Sequence, residues 1–384
     1  MQHVFIIGSR GLPAQYGGFE TFVEELVNHQ VSTEIQYHVA CLSDKQHTTH
    51  FDYKGADCFT IRPPKLGPAR VIAYDMMAIT YVLSYCKKHQ IINPQFYILG
   101  NTIGAVIKGY SKKLKRIGAK LYVNPDGLEW KRTKWSKPVQ MYLKYSEKCM
   151  TKYADCIIAD NLGIADYLKT QYPETRLKFI AYGTETSLST LSSTEIVVRN
   201  FFEKWEVSEK GYYLVVGRFV PENNYETIIR EFMTTDTRKK LLIICNHDGN
   251  SFYDRLRDRT KFDTDKRVQF VGTVYDRELL TYIREHAFAY IHGHEVGGTN
   301  PGLLEAMAHT NLNLVLDVSF NRTVADISAF YWNKEPGNLR QLIMDSDFKT
   351  DYGQFGTRAK SIIAEKYTWG KIVSQYEELF LNAN

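Results

Sequence analysis

Short apolar runs rich in β-branched residues recur along the chain at Val4–Ile7, Gln36–Leu42, Gln95–Leu99, Lys120–Val123 and Cys156–Ile158. Longer helix-like stretches separate them. This alternation predicts buried parallel strands joined by helical crossovers. The same rhythm restarts at Tyr212–Val216 and continues through Lys240–Cys245, Val268–Val271, Phe288–Ile291 and Leu312–Leu316. Two α/β units in tandem follow, each a doubly wound parallel sheet, with the loops at their strand C-termini expected to face a common cleft. The Gly- and Ser/Thr-rich stretch Gly183–Ser193 and the amphipathic run up to Trp205 place the boundary near residue 184. Arg358–Leu381, carrying Tyr-Thr-Trp at 367–369, reads as two final helices. The expected division is 1–184, 185–365, and a terminal helix over 366–384 that packs back on the first domain.

At 384 residues with 44% hydrophobic and 24% charged side chains, the chain can bury sizeable cores and is neither fibrous nor disordered. Its net charge of +5 is too mild to argue for nucleic acid. The distribution is more informative. Residues 1–184 carry 24 basic and 15 acidic side chains, against 24 and 28 in the remainder, so a basic half is joined to an acidic one. Six scattered cysteines lack CxxC or other metal-ligand spacing and read as reduced core residues of a cytosolic protein. The start enters a strand directly, without the basic and apolar regions of a signal peptide. The longest uncharged run, His89–Ile107, is interrupted by Gln, Asn and Pro and makes a poor membrane span.

Candidate chemistry collects at strand ends. The first strand runs into Gly8-Ser-Arg-Gly-Leu-Pro-Ala-Gln-Tyr-Gly-Gly-Phe-Glu20, with a helix expected from about Thr21. Glycines here let backbone approach a ligand, and a helix N-terminus attracts an anion such as a diphosphate. The spacing is not GxGxxG, and an unliganded Gly/Pro turn is the other reading. Asp126, in Asn124-Pro-Asp-Gly-Leu-Glu-Trp-Lys-Arg132, follows a strand and is a candidate catalytic carboxylate, or else part of an Asp-Gly turn.

In the second unit, Arg218 in Gly217-Arg-Phe-Val-Pro-Glu-Asn-Asn224 is placed to grip a phosphate, unless Glu222 holds it in an ion pair. Thr299 and Asn300 could offer amides to phosphate and Glu305 could accept from a ribose diol. His292, His294 and Glu295 raise a metal reading, but they share one loop without a second cluster, so no metal site is assigned. Asp263/Asp265 and Asp345/Asp347 read as loop and cap residues.

Lys108–Lys152 holds 13 basic residues against three acidic ones. Lys112, Lys113, Lys115, Arg116, Lys131, Arg132, Lys134 and Lys137 interleave with Trp130 and Trp135. Basic side chains with interfacial aromatics suit an anionic membrane surface. A solvated helix face and a nucleic-acid surface are the alternatives, and no nucleic-acid motif accompanies the stretch.

Together these residues resemble a known family. Gly-Arg-Phe-Val-Pro-Glu at 217–222, Pro-Gly-Leu-Leu-Glu-Ala-Met-Ala at 301–308 and Tyr-Thr-Trp at 367–369 resemble the C-terminal half of family-4 glycosyltransferases of GT-B fold. Ile6-Ile-Gly-Ser-Arg-Gly-Leu-Pro, Tyr16-Gly-Gly-Phe-Glu-Thr-Phe-Val and the 124–132 segment resemble the rhamnosyltransferases of streptococcal capsule and group-carbohydrate synthesis. The resemblance implies two Rossmann-like domains, the first binding acceptor and membrane and the second the nucleotide sugar. It implies transfer of L-rhamnose from dTDP-β-L-rhamnose to a sugar on undecaprenyl diphosphate at the inner membrane face, with no metal or other cofactor. By position, Gly17 and Gly18 would meet the donor diphosphate, Arg218 would neutralise it, Val274 would meet the base and Glu305 the ribose. Two positions depart from the family pattern: Gly297 stands where a Glu binds sugar hydroxyls, and Asn223 where a Lys supports the leaving diphosphate. Those tasks would pass to Glu295, Asp126 and Asn300. The rivals are another GT-B enzyme, including an epimerase or phosphorylase, and a basic peripheral binding module, which would leave Arg218 and Glu305 unexplained.

Overall fold

The computed structural model describes residues 1–15, 17–132, 135–296, 298–348 and 352–382, the side chain of Pro68 excepted. The chain divides into two compact units, one built on Met1–Gly183 and the helix Trp369–Leu381, the other on Thr184–Glu295 and Thr299–Thr368.

The first unit runs β1 (Gln2–Ile7), α1 (Gly18–Asn28), β2 (Ile35–Leu42), β3 (His50–Tyr53), β4 (Ala56–Ile61), α2 (Arg70–Lys88) and β5 (Gln95–Leu99). It continues with α3 (Gly104–Lys115), β6 (Lys120–Asn124), α4 (Lys137–Tyr153), β7 (Cys156–Ala159), α5 (Leu162–Gln171) and β8 (Leu177–Phe179). The described strands lie in the order β3-β4-β2-β1-β5-β6-β7-β8. Apart from β3, which pairs antiparallel with β4, the ladders are parallel. The chain therefore winds outward from β1 in one direction and then in the other, with the reversal between β1 and β5. Val4–Ile7 are buried, as a central parallel strand covered on both faces requires.

The second unit runs α6 (Ile196–Lys204), β9 (Tyr212–Val216), α7 (Tyr225–Met233), β10 (Lys240–Ile244), α8 (Ser251–Thr260), β11 (Val268–Gly272), α9 (Arg277–His286) and β12 (Ala289–His292). Then come α10 (Pro301–His309), β13 (Asn313–Leu316), α11 (Ser319–Ala325), β14 (Phe330–Trp332), α12 (Asn338–Phe348) and α13 (Gly353–Lys366). The parallel order β11-β10-β9-β12-β13-β14 puts the reversal between β9 and β12. Apolar spacing explains the helices. On α7, Tyr225, Ile228, Ile229 and Phe232 fall on one stripe and are all buried against the sheet.

The last helix, α14 (Trp369–Leu381), lies in the first unit. Its Tyr376 hydroxyl meets that of Tyr97 at 3.0 Å, and Phe380 packs on Tyr37 and Tyr122. Glu377 accepts from the amides of Val31 and Ser32 at 2.8 and 3.1 Å.

Candidate functional site

Open α/β sheets present ligands beyond the strand C-termini, at the point where the strand order reverses. In the first unit that position is the loop from Gly8 to Gly17 after β1. α1 begins at Gly18, three residues earlier than the sequence pattern suggests, with Gly17 as its N-cap. Gly17 has φ 143°, and a β-carbon there would lie 1.8 Å from the Glu20 carboxylate, so only glycine fits. Glu20 is buried and accepts the Arg10 amide at 2.8 Å. A carboxylate of the chain itself thus already sits beside the helix start where the sequence places Gly17 and Gly18 around a diphosphate.

Asp126 lies just past β6 with φ 53°, its amide donating to the Asn124 side chain at 3.0 Å. Asp126 and Gly127 are both left-handed, so the Asp-Gly turn is real. It holds a half-buried carboxyl at the strand end. The neighbouring strand β7 ends at Ala159, and the next residue is Asp160, which sequence reasoning passed over. Asp160 is buried, and burial together with the nearby negative charge of Asp126 pushes its carboxyl up to about 7. Asp75 on α2 is a second buried carboxyl. Burial raises it to about 7 against the opposing hydrogen bond from the Thr102 hydroxyl at 2.6 Å, and its other oxygen is unpartnered.

In the second unit Arg218 stands exposed immediately beyond β9. Asn223 braces this loop: its side-chain nitrogen donates to the Arg218 carbonyl at 2.7 Å and its oxygen meets His294 Nδ1 at 2.8 Å. The position at which the family pattern carries a charged lysine is therefore a structural clamp here. Asn300 caps α10, accepting from Gly302 N at 2.9 Å, and Thr299 is buried before it. Glu305 pairs with Arg284, a buried residue of α9 that no sequence motif pointed to. Val274 packs against the second unit's core beside the largely exposed Tyr275. Glu295 is ion-paired to Lys334 at 2.6 Å and accepts from Asn224 at 3.2 Å. Its charge is therefore already matched within the unit, as is the oxygen of Asn300, and Gly297 lies outside the described residues.

His292 is buried, and burial followed by the proximity of His294 lowers its imidazole to about 3. The ligand atoms of His292, His294 and Glu295 do not gather within 4.8 Å of one another. Asp265 pairs with Arg267 and Asp347 with Lys239, so both acidic pairs include residues bound into the scaffold.

The architecture has close counterparts. Sucrose-phosphate synthase from Thermosynechococcus elongatus superposes with a TM-score of 0.78 at 16% identity, over 100% of this chain and 99% of that one. The fold is GT-B. Anabaena Alr3699/HepE, solved with UDP, gives 0.73 at 13% identity with 100% of each chain covered. The UDP-forming α,α-trehalose-phosphate synthase of Burkholderia xenovorans, solved with glucose-6-phosphate, gives 0.73 at 9% over 99% and 100%. A family model described as a domain of unknown function, DUF1972, matches residues 1–185. No curated protein matches the sequence.

On the first GT-B unit the basic stretch resolves into two parts. Lys112, Lys113, Lys115 and Arg116 are exposed at the end of α3, and Lys131 and Lys137 are also exposed. Trp130, Arg132 and Trp135 are not. Arg132 pairs with Glu129 at 2.7 Å, the Trp135 indole donates to the same carboxylate at 2.8 Å, and the ammonium of Lys144 stacks on Trp130 at 4.6 Å. The large apolar side chains most exposed on α4 are instead Met141 and Tyr145, 73% and 55% exposed. Lys134 lies outside the described residues. Among the described residues no helix is long and apolar enough to cross a membrane, and all six cysteines are free thiols.

Proposed function

We propose that the protein is a glycosyltransferase that moves L-rhamnose from dTDP-β-L-rhamnose to a GlcNAc or glucose residue on undecaprenyl diphosphate, with retention, in cell-wall or capsular polysaccharide synthesis. The observation that carries the transferase reading is a pair in the second unit: Arg218 exposed past β9, and Glu305 in the middle of α10, held by buried Arg284 of α9. Arg218 neutralises the charge that grows on the diphosphate as the bond to C1 breaks, and preorganised charge of this kind supplies most of the stabilisation such a transition state needs. Glu305, oriented by Arg284, accepts from the ribose diol. Similar folds solved with UDP support a nucleotide-sugar donor. The choice of dTDP-rhamnose rests on the motifs at 6–23 and 124–132. In the retaining reaction the departing phosphate takes the acceptor's proton, while Asp126 orients the acceptor.

The test is direct. Protein incubated with dTDP-rhamnose, UDP-glucose or GDP-mannose and a lipid-diphosphate sugar yields a product heavier by one deoxyhexose with dTDP-rhamnose alone, and dTDP raises the melting temperature more than UDP or GDP. Turnover of UDP-glucose instead would move the donor to the alternative reading, a GT-B enzyme for another nucleotide sugar. Conversion of the donor without an acceptor would make the protein an epimerase.

A lipid-linked acceptor keeps its diphosphate at headgroup level, so we place the enzyme peripherally on the cytoplasmic membrane face, docked through the lysines of α3 and the exposed Met141 and Tyr145. Each basic side chain near an anionic surface contributes about 1 kcal/mol, so reversing Lys112, Lys113 and Lys115 to Glu weakens vesicle binding by at least about 100-fold. The triple variant fails to sediment with phosphatidylglycerol vesicles and transfers slowly to a long-chain acceptor, yet retains its rate on a short soluble analogue. Unchanged sedimentation would reduce the patch to an ordinary solvated surface.

A further inference from the structure

A second constellation occupies the first unit away from its strand-end loops. His3 of β1, His38 of β2, Asp57 of β4 and His50 of β3 are joined by an unbroken chain of hydrogen bonds. His3 Nδ1 meets His38 Nε2 at 2.9 Å, and His38 Nδ1 meets Asp57 Oδ2 at 2.9 Å. His50 Nδ1 meets Asp57 Oδ1 at 2.7 Å, and His50 Nε2 meets the Tyr81 hydroxyl of α2 at 2.6 Å. One proton on each ring satisfies every link. Tyr81 donates to His50, His50 and His38 both donate to Asp57, and His3 donates to His38, which leaves His3 Nε2 as an acceptor. The rings are also fixed by stacking, His3 on His38 at 5.2 Å and His50 on Tyr85 at 5.7 Å between centroids.

The array lines a groove of about 520 Å³, completed by Gln36, Asp52 and Tyr85. Across His50 and Tyr85 lies a second groove of about 460 Å³, bordered by Ser84, Lys88 and His89. Both grooves are wide and open to solvent, so a ligand would lie along them with one side in water. His3 stands near the beginning of β1 and Gly8 just beyond its end, so the five intervening steps put roughly 16 Å between groove and loop.

The lining narrows the ligand. Asp52 and Asp57 make the first groove unfavourable for phosphate. Five of the six imidazole nitrogens are already bonded to one another, to Asp57 or to Tyr81, and His3 Nε2 by itself makes no cluster to ligate a metal. A purely apolar ligand would cover the Asp52 carboxylate and the acceptor nitrogen of His3 without bonding either. A neutral polyhydroxylated ring fits this lining: a C–H face against Tyr85 and the imidazoles, with hydroxyls on His3 Nε2, Asp52 and the side-chain oxygen of Gln36, whose amide nitrogen already donates to the Tyr37 and Gly55 carbonyls at 3.1 and 2.9 Å. We propose that this groove is a second carbohydrate-binding site, holding a sugar ring of a glycan apart from the strand-end site. The proposal rests on the glycosyltransferase reading for the reason a glycan would be present.

The experiment follows the imidazole resonances of His3, His38 and His50 in full-length ¹⁵N-histidine-labelled protein during titration with methyl α-L-rhamnoside, diacetylchitobiose and maltotriose. At least one sugar shifts them saturably, and the shift persists when dTDP is saturating. Tyr85→Leu and Gln36→Ala each weaken that sugar by about tenfold or more and leave the dTDP thermal shift unchanged. Gln36 is half-buried and its amide bonds only two backbone carbonyls, so its truncation is the milder change and decides if the first variant does not fold. If none of the three sugars moves these resonances, or if dTDP abolishes the effect, the groove is not a separate sugar site, whether or not the protein transfers sugar. If the sugars bind here while no nucleotide sugar is turned over, the site stands and the proposed activity falls.

Discussion

Replacing Arg218 by alanine lowers sugar transfer by roughly 30-fold to 1,000-fold while the melting temperature stays at the wild-type value. The side chain is exposed and braces nothing: the Asn223 clamp holds the backbone carbonyl of Arg218, so the loop survives loss of the guanidinium. What is lost is one charge-assisted contact to the leaving diphosphate, worth on the order of 2–4 kcal/mol in a closed site. Steady-state kinetics with varied donor make the check, and the loss falls mainly on kcat because the charge it meets develops as the bond breaks. Unchanged kinetics would remove Arg218 from the site. Glu305 needs a gentler substitution. Its truncation to Ala leaves the buried Arg284 uncompensated and endangers the fold, whereas Glu305→Gln keeps the shape and raises the KM for the donor.

Asp160→Asn stabilises the protein at alkaline pH and does almost nothing at pH 4. The wild-type carboxyl titrates near 7 in the folded unit against an ordinary value of 3.8. Between those two values the folded state keeps a proton that the unfolded chain has released, so the group's contribution to stability declines as pH rises through this window and is level on either side. At 1.36 kcal/mol per unit over about three units, ionised Asp160 costs at most about 4 kcal/mol at pH 8. An amide never ionises and carries no such cost. Urea unfolding of both proteins from pH 4 to pH 8 therefore gives curves that diverge across the window. Parallel curves would mean that Asp160 ionises in the folded state as readily as in water. Under the proposed activity, wild-type turnover also falls above pH 7, as a second charge appears beside Asp126, and the Asn variant keeps its rate.

Gln95–Leu99 and Tyr212–Val216 were legible to the residue because each short, largely apolar run is closed off by turn formers, Pro94 and Gly100 in one case and Gly211 and Gly217 in the other, the signature of a strand buried on both faces. The β3–β4 hairpin was not read, although its signal was present: His50-Phe-Asp-Tyr and Ala56-Asp-Cys-Phe-Thr-Ile flank Lys54-Gly55, both with positive φ, as a two-residue hairpin turn requires. Asp126 and Asp160 occupy equivalent places at the ends of adjacent strands. Only the first stood in a segment resembling a family motif, so the second went unread. Trp130 and Trp135 misled for a physical reason. A short turn has no periodicity to say which side faces inward, and the shared Glu129 carboxylate that draws in Trp135 and Arg132 is visible only in three dimensions. The pairing of Arg284 with Glu305 spans 21 positions and two helices, a separation at which no local pattern operates.

The place of α14 in the first unit also governs how the molecule is born. β8 ends at Phe179 and α14 begins at Trp369, so about 190 residues leave the ribosome between them, roughly 10 to 40 seconds of synthesis. Throughout that interval the rings of Phe22, Tyr37, Tyr97 and Tyr122 lack the helix that covers them in the finished fold. The nascent first unit therefore carries an aromatic surface that a chaperone can hold and that another nascent chain can stick to. A fragment cut after residue 185 keeps that surface permanently, so the span matched by the family model lacks a helix that belongs to the folded unit.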